Sequence, residues 1–310
     1  MTAELVCIGE PMLEFNQRPP NADSQILYLE GFGGDTSNAA IAAARAGAQV
    51  AYATAVGRDS AGDRFLDFWR AEGIDVSAVL QRDSQPTGVY VVTHGKSGHE
   101  FLYYRAGSAA SFYSPVDVPT EMITGAKMLF ASGISQGISN SAADAVFRAI
   151  AVARGHNVKV AYDTNYRPRL WHKARAAAVM HAACAEADIV LPSLEDAVML
   201  TGLAAPAAIV DFYLRLGPSI VVLKLGAQGA LLGTAAGQIP IPPFPCNPVD
   251  GTGAGDTFCG SFLARLLAED TPLQAAEYAA AAAALKTEGY GAVAPMPKAA
   301  RVLAALGRLS

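Results

Sequence analysis

Residues 247–262 read NPVDGTGAGDTFCGSF: two acids, Asp250 and Asp256, bracket a turn carrying Gly251, Gly253 and Gly255, and apolar residues follow at once. Phe258, Phe262, Leu263, Leu266 and Leu267 recur at helical spacing. This predicts a helix starting near Gly255 or Asp256, with Gly253, Ala254 and Gly255 as the turn leading into it. The unpaired N–H groups and positive dipole end of such a helix point out of the turn, a setting suited to a phosphate or to a phosphoryl group in transfer. Asp256, at the same spot, is a candidate general base for an attacking hydroxyl. The competing reading is a carboxylate that only caps a helix and glycines that only turn the chain, the commoner meaning of a short glycine-rich string. The string is not a Walker A loop, because no Gly-Lys-Ser/Thr follows, and it is not the dinucleotide fingerprint G-x-G-x-x-G with an acid about 20 residues on.

Outward from this segment, short apolar runs alternate with helical patterns. LVCIG near residue 5, QVAYATAVG, AKMLFASGI, VKVAYDTN, ADIVLPS and SIVVLKLG read as strands. Ser37 to Ala46 and AGDRFLDFWRAEG read as helices, with Asp35, Thr36 and Ser37 offered as caps for the first and Gly47 as its stop. That order predicts a mainly parallel sheet covered on both faces. Ligands in open α/β sheets sit at the carboxyl ends of the strands, so Ser132, Asp163, Asn165, Ser193, Lys224 and Gly226 should line one edge. The alternation breaks at 12–32 and 87–112. The second break reads as a hairpin around Gly-Lys-Ser-Gly, so both predict a separate β-flap.

With 52% hydrophobic and 16% charged residues among 310, the chain has ample material for a large core, and no polar linker divides it. One domain, 1–310, is expected, with a lid from the two flap segments. Acids near the N-terminus in place of a basic region, and no run of about 18 apolar residues, lead to the expectation of a cytoplasmic protein that does not span a membrane. Four scattered cysteines read as buried free thiols. A net charge of −5 without a basic run argues against nucleic acid and for a small-molecule ligand held by local donors.

The string D-G-T-G-A-G-D-x-F resembles the C-terminal signature of the ribokinase-like, or PfkB, family of carbohydrate kinases, with Gly251 where that signature has threonine. GGDTSNAAIAAARAG with AVGRDSAGDRF resembles the family's N-terminal signature, so the likeness covers nearly the whole chain. It implies a three-layer α/β sandwich with a β-flap lid, catalysis by Asp256, and an anion hole at Gly253, Ala254 and Gly255. YYRAGSAA and DTNYRPRLW are similar to the 2-keto-3-deoxygluconate kinases within the family. That likeness places sugar-acid contacts on Gly34, Asn38, Tyr90, Tyr103, Arg105, Arg167 and the backbone near Ile134. It implies transfer from ATP to the terminal 6-hydroxyl.

Two arginines suit a carboxylate, which accepts a planar guanidinium fork; pairing with acids of the protein itself is the alternative. For the nucleotide, LKLGAQGA offers Lys224, Gly226 and Gly229, joined by Asn165, Ser193, Gly251, Gly253 and Gly255, while the Ala-rich YAAAAAALKTEG reads either as a wall to adenine or as a packed helix. Magnesium is expected with ATP, with Asp196 and Asp250 as candidate ligands, and a monovalent cation such as potassium is a further expectation. Other sugars stay open: fructose, ribose, 2-keto-3-deoxygalactonate or a nucleoside. So does a non-catalytic sensor on the same fold. The apolar flap strands predict a homo-oligomer.

Overall fold

The computed structural model describes residues 3–18, 23–95 and 98–308. The chain opens with β1 (Leu5–Ile8), β2 (Met12–Arg18), β3 (Leu27–Gly33), α1 (Asp35–Arg45), β4 (Val50–Gly57), α2 (Ser60–Ala71) and β5 (Val79–Arg82). The hairpin β6 (Gly88–Gly95) and β7 (Gly98–Tyr104) comes next; Lys96 and Ser97 of its expected turn lie outside the described residues. The middle runs through α3 (Thr120–Thr124), β8 (Met128–Ser132), α4 (Gly133–Gly137), α5 (Asn140–Gly155), β9 (Lys159–Asp163), α6 (Lys173–Ala185) and β10 (Ile189–Val190). After α7 (Leu194–Thr201), α8 (Pro206–Leu216), β11 (Ile220–Lys224), β12 (Ala230–Thr234) and β13 (Gly237–Ile241), three helices close the chain: α9 (Ala254–Leu267), α10 (Pro272–Lys286) and α11 (Ala299–Ala305).

Nine strands form one sheet in the order β13-β12-β11-β10-β9-β8-β1-β4-β5, parallel except where β12 and β13 turn back at one edge. Along β1 the pleat sends Leu5 and Cys7 to one core and Val6 and Ile8 to the other. The first core is filled by Ile41, Phe65, Trp69, Phe262 and Tyr278 from α1, α2, α9 and α10, the second by Val146, Met180 and Tyr213 from α5, α6 and α8. Side chains of this size, buried fully, are worth about 1.5–3 kcal/mol each. Both faces are covered, which is why the strands read as unbroken apolar runs.

The second sheet has the order β3-β2-β6-β7. β2 and β6 pair in parallel and the other pairs are antiparallel, so the flap joins two separate chain segments. Its register puts Glu14, Asn16, Tyr90, Val92, Phe101 and Tyr103 on one face. Among the described residues, no single helix is long and apolar enough to cross a membrane. Cys7, Cys184 and Cys259 are buried free thiols as expected, whereas Cys246 is half-exposed.

Two local expectations change. Helix α9 starts at Ala254, with Gly253 as its N-cap in the left-handed region at φ 75°, so Ala254 and Gly255 belong to the first turn. Helix α1 starts at Asp35 behind Gly34 and has no side-chain cap; Asp35, Thr36 and Ser37 lie inside it. Their hydroxyls are drawn into the core: Trp69 Nε1 donates to Ser37 Oγ at 3.0 Å, and Thr36 Oγ1 shares a hydrogen bond with the Tyr52 hydroxyl at 3.1 Å. A partner within the fold outbids the local cap.

Candidate active site

Asp256 is the third residue of α9, beside the amides of Gly253–Gly255. Gly253 must be glycine on two counts: its φ is positive, and a Cβ there would meet the Ala292 carbonyl oxygen at 2.9 Å. A second close approach sets the carboxylate. A Cβ on Gly260 would come within 2.0 Å of the Ala39 carbonyl oxygen, so α9 lies directly against α1. Across that contact Asn38 Nδ2 donates to Asp256 Oδ2 at 2.8 Å. Among the described residues the Asp256 carboxylate has no other hydrogen bond, which leaves acceptor capacity for a substrate hydroxyl. The residue keeps some solvent access, but protein surrounds the carboxyl. Burial pushes its pKa up to about 6, helped by the Asp163 charge, while Asn38, Lys224 and Arg167 pull the other way.

Around it the strand ends converge as the topology requires. Lys224, at the end of β11, donates to Asp163 Oδ2 at 2.7 Å and to Cys259 Sγ at 3.3 Å. Burial opposes its charge, yet the neighbouring Asp163 and Cys259 raise the ammonium above its ordinary pKa. A Cβ on Gly255 would lie 3.7 Å from that ammonium, so Lys224 and the helix amides form one electropositive floor. Asn165 follows β9 in a left-handed conformation at φ 37°, its N–H directed to Asp163 Oδ1. Ser193 caps α7 by accepting from the Asp196 amide, and Asp196 Oδ2 accepts from the Tyr166 amide at 3.1 Å. Gly226 and Gly229 form the β11–β12 turn with positive φ, and a Cβ on Gly229 would strike the Ile241 carbonyl oxygen, so that glycine has a structural duty of its own.

The side under the flap is richer in acids than the sequence suggested. Gly34 caps α1 at φ 105°, and a Cβ there would meet the Glu10 carbonyl oxygen at 2.2 Å. Buried Tyr90 donates its hydroxyl to Glu14 on the inner face of the flap, beside Tyr103. Ile134 is buried in the first turn of α4, its N–H on Ser132 Oγ. The two arginines separate. Arg105 is ion-paired to buried Glu10, and its Nε is buried without a partner. Arg167 is exposed, donates to the Tyr166 carbonyl, and bears electrostatically on both Asp196 and Asp256. An acid of the chain, Glu10, which follows β1, thus already engages Arg105, the alternative the sequence reading kept open, while Arg167 stays exposed.

Asp250, a candidate metal ligand, also fastens a turn. Its Oδ1 accepts from the Thr252 amide at 2.9 Å and its Oδ2 from the Gly291 amide at 2.8 Å, the pattern of a carboxylate that fastens a turn. Burial opposes its charge, but these donors hold its pKa below the usual range. Gly251 is exposed, with open space around its Cβ position. Helix α10 packs Tyr278, Ala279, Ala281, Ala282 and Leu285 into the core, while Ala280, Ala283 and Ala284 stay only partly buried.

Asp35, which the sequence offered only as a cap, lies buried in the same helix turn as Asn38, close to Asp256. In the helix turn that holds Asp256, Asn38 Oδ1 is buried without a hydrogen-bond partner, and the buried Asp35 carboxyl has the Ser132 hydroxyl and the Thr36 amide close by but short of good hydrogen-bond geometry. Burial, aided by the Asp256 and Glu10 charges, pushes Asp35 up to about 7, with the nearby Ser132 hydroxyl and Thr36 amide opposing this. Unpaired buried acceptors are costly, and donors such as hydroxyl groups would satisfy them. Among the described residues no cluster of three His, Cys, Asp or Glu side chains forms a preassembled metal cage.

A buried carboxylate and main-chain amides at the start of one helix, under a flap, form an arrangement that can carry phosphoryl transfer, and comparison with known proteins places the chain in a kinase family. The profile described as pfkB family carbohydrate kinase matches residues 2–299. The chain belongs to the pfkB family of carbohydrate kinases. As a pfkB kinase it is 33% identical over 309 residues to the 2-dehydro-3-deoxygluconokinase of Thermoproteus tenax, covering 96% of this chain and 93% of that one. The PfkB protein from Polaromonas sp. JS666 superposes with a TM-score of 0.87 at 31% identity, over 98% of this chain and 100% of that one. A fructokinase double mutant from Vibrio cholerae O395, solved with fructose, ADP and potassium ion bound, superposes with a TM-score of 0.87 at 28% identity over 99% of each chain. The pfkB kinase described here is thus a sugar phosphotransferase.

Proposed function

We propose that this sugar kinase transfers the γ-phosphoryl group of ATP to the terminal 6-hydroxyl of 2-keto-3-deoxygluconate. The observation that carries the reading is Asp256: a carboxylate poised near neutrality, held by Asn38, at the N–H end of α9. Its free acceptor capacity takes the hydroxyl proton while the Gly253–Gly255 amides and Lys224 meet the charge on the phosphoryl oxygens. Asp35 and Asn38 Oδ1 accept from sugar hydroxyls, and Arg167 faces the acid end of the substrate. The flap, with Tyr90 and Tyr103 on its inner face, covers the sugar and excludes water, which limits hydrolysis of ATP. The β11–β12 turn at Gly226 and Gly229, with Asn165 and Ser193, borders the nucleotide.

Magnesium fits this donor set, because it binds through one or two carboxylates with water and phosphate oxygens in place of a protein cage. Asp196, whose Oδ1 has no hydrogen bond among the described residues, would hold it, and when bound it would neutralise the phosphate oxygens. The name of the Thermoproteus tenax relative supports the sugar acid, as do YYRAGSAA and DTNYRPRLW. The Glu10–Arg105 pair favours a second reading, a neutral sugar such as fructose, since only one guanidinium is left for a substrate carboxylate.

A panel with ATP and magnesium decides between them: 2-keto-3-deoxygluconate and its galactonate epimer against fructose, ribose and adenosine, read as ADP released. A kcat/KM at least about a hundredfold higher for the sugar acids supports the proposal; equal or better turnover of fructose replaces it with the neutral-sugar reading.

A further inference from the structure

Lys286, the last residue of α10, is the only buried lysine among the described residues, with 0% of its surface exposed. Taking an ammonium out of water costs several kcal/mol unless its surroundings compensate, and an apolar side chain of similar volume would fill the space without that cost. Its surroundings are specific. Nζ donates to the main-chain carbonyl of Asp250 at 2.8 Å. The carboxylates of Asp250, Glu14 and Asp256 act on it through space, against the burial that pulls its pKa down.

Asp250 is thereby fixed at four points. Its carbonyl accepts from Lys286, its carboxylate from Thr252 and Gly291, and its N–H donates to the Thr287 carbonyl at 3.0 Å. The turn runs directly on into Gly253, which is wedged against Ala292, and then into the amides of α9. A charge on the underside of this turn sets where those amides point.

The Vibrio cholerae fructokinase was solved with potassium ion bound, and the sequence raised the same expectation here. Potassium is held by main-chain carbonyls in place of its water shell. In this chain the carbonyl of Asp250 already carries a tethered ammonium of comparable size. We propose that Lys286 is a resident cation: a positioning residue that fastens the Asp250–Gly253 turn, so that phosphoryl transfer by this protein needs no potassium. The inference rests on the reading of that turn as the anion hole.

The test compares the wild type, Lys286→Ala and the volume-keeping Lys286→Met in sodium, potassium, ammonium, methylammonium and tetramethylammonium chlorides. Turnover of the best sugar in the panel is measured beside the thermal midpoint and the affinity for a non-hydrolysable ATP analogue. Wild-type kcat should stay within about twofold in every salt. Lys286→Met should lose roughly tenfold to a hundredfold in kcat, since a 1 Å misplacement of catalytic groups costs about that much. In Lys286→Ala, ammonium or methylammonium should restore part of the rate and raise the midpoint, with no such effect on the wild type.

A wild type that turns over only with potassium overturns the proposal, and so does a Lys286→Met that keeps full kcat. A loss that no small cation restores reduces Lys286 to a packing contact and overturns it equally. A wild type inert toward every sugar would instead refute the kinase reading, and the cation-specific rise in the midpoint of Lys286→Ala would then still judge the resident cation alone.

Discussion

At the scale of single residues, the proposed reaction requires Asp256 to be ionised when the hydroxyl attacks. Burial raises its pKa to about 6, and a base works only in its deprotonated form, so kcat should climb as pH rises from about 5 to 7 and then level off. Asp256→Asn should keep the fold and bind sugar but lose about 10² to 10⁴ in kcat. A variant with near-normal turnover, or a flat pH profile in the wild type, would remove Asp256 from the role of base. The two arginines should respond differently. Arg167→Ala takes away an exposed cation and should raise KM for a sugar acid tenfold or more, leaving the thermal midpoint in place. Arg105→Ala leaves Glu10 buried and unpaired, so its main effect should be a lower midpoint, because breaking a buried pair costs about 3–5 kcal/mol. Equal KM effects with unchanged midpoints in both variants would restore the symmetrical grip on the substrate.

Among the secondary-structure elements, the contact of α1 with α9 decides whether the site exists. The two helices meet through small residues, Ala39 and Ala42 on one and Gly260 on the other, and that closeness brings Asn38 to Asp256. Gly260→Ala adds one methyl where the Ala39 carbonyl stands 2.0 Å away. Overpacking of this kind costs about 1–3 kcal/mol. The variant should therefore lose both stability, seen by calorimetry, and turnover, as the Asn38–Asp256 hydrogen bond lengthens. Normal kinetics in a destabilised variant would show that the base needs no support from α1. The Ala-rich helices read from the sequence as good helix formers have this second meaning, close approach, which propensity alone does not reveal.

For the whole molecule, the flap is the exposed liability. Tyr28, Leu102 and Tyr104 share its face opposite Tyr90, and Leu27 and Leu29 lie on the edge strand, all of them more than 40% exposed. Apolar strands with an open edge seek a covering partner. The protein should therefore run as a homo-oligomer through the flap in light scattering at micromolar concentration, and Leu102→Glu with Tyr104→Glu should shift it toward monomer. A monomeric wild type would refute this.

Helical spacing and glycine punctuation in the sequence were enough to determine the alternating α/β architecture, the separate flap, the strand ends that line the site and the loop holding Asp256. These follow from local periodicity and turn chemistry. Only the tertiary structure decided what each polar side chain meets: Glu10 at Arg105, Ser37 at Trp69 in place of a cap, Asp250 on the Thr252 and Gly291 amides, Asp35 buried on the core side of α1, Lys286 beneath the turn that leads into α9. Partners far apart in the chain leave no mark in spacing, because hydrogen bonding and charge pairing depend on distances that exist only once the layers have packed.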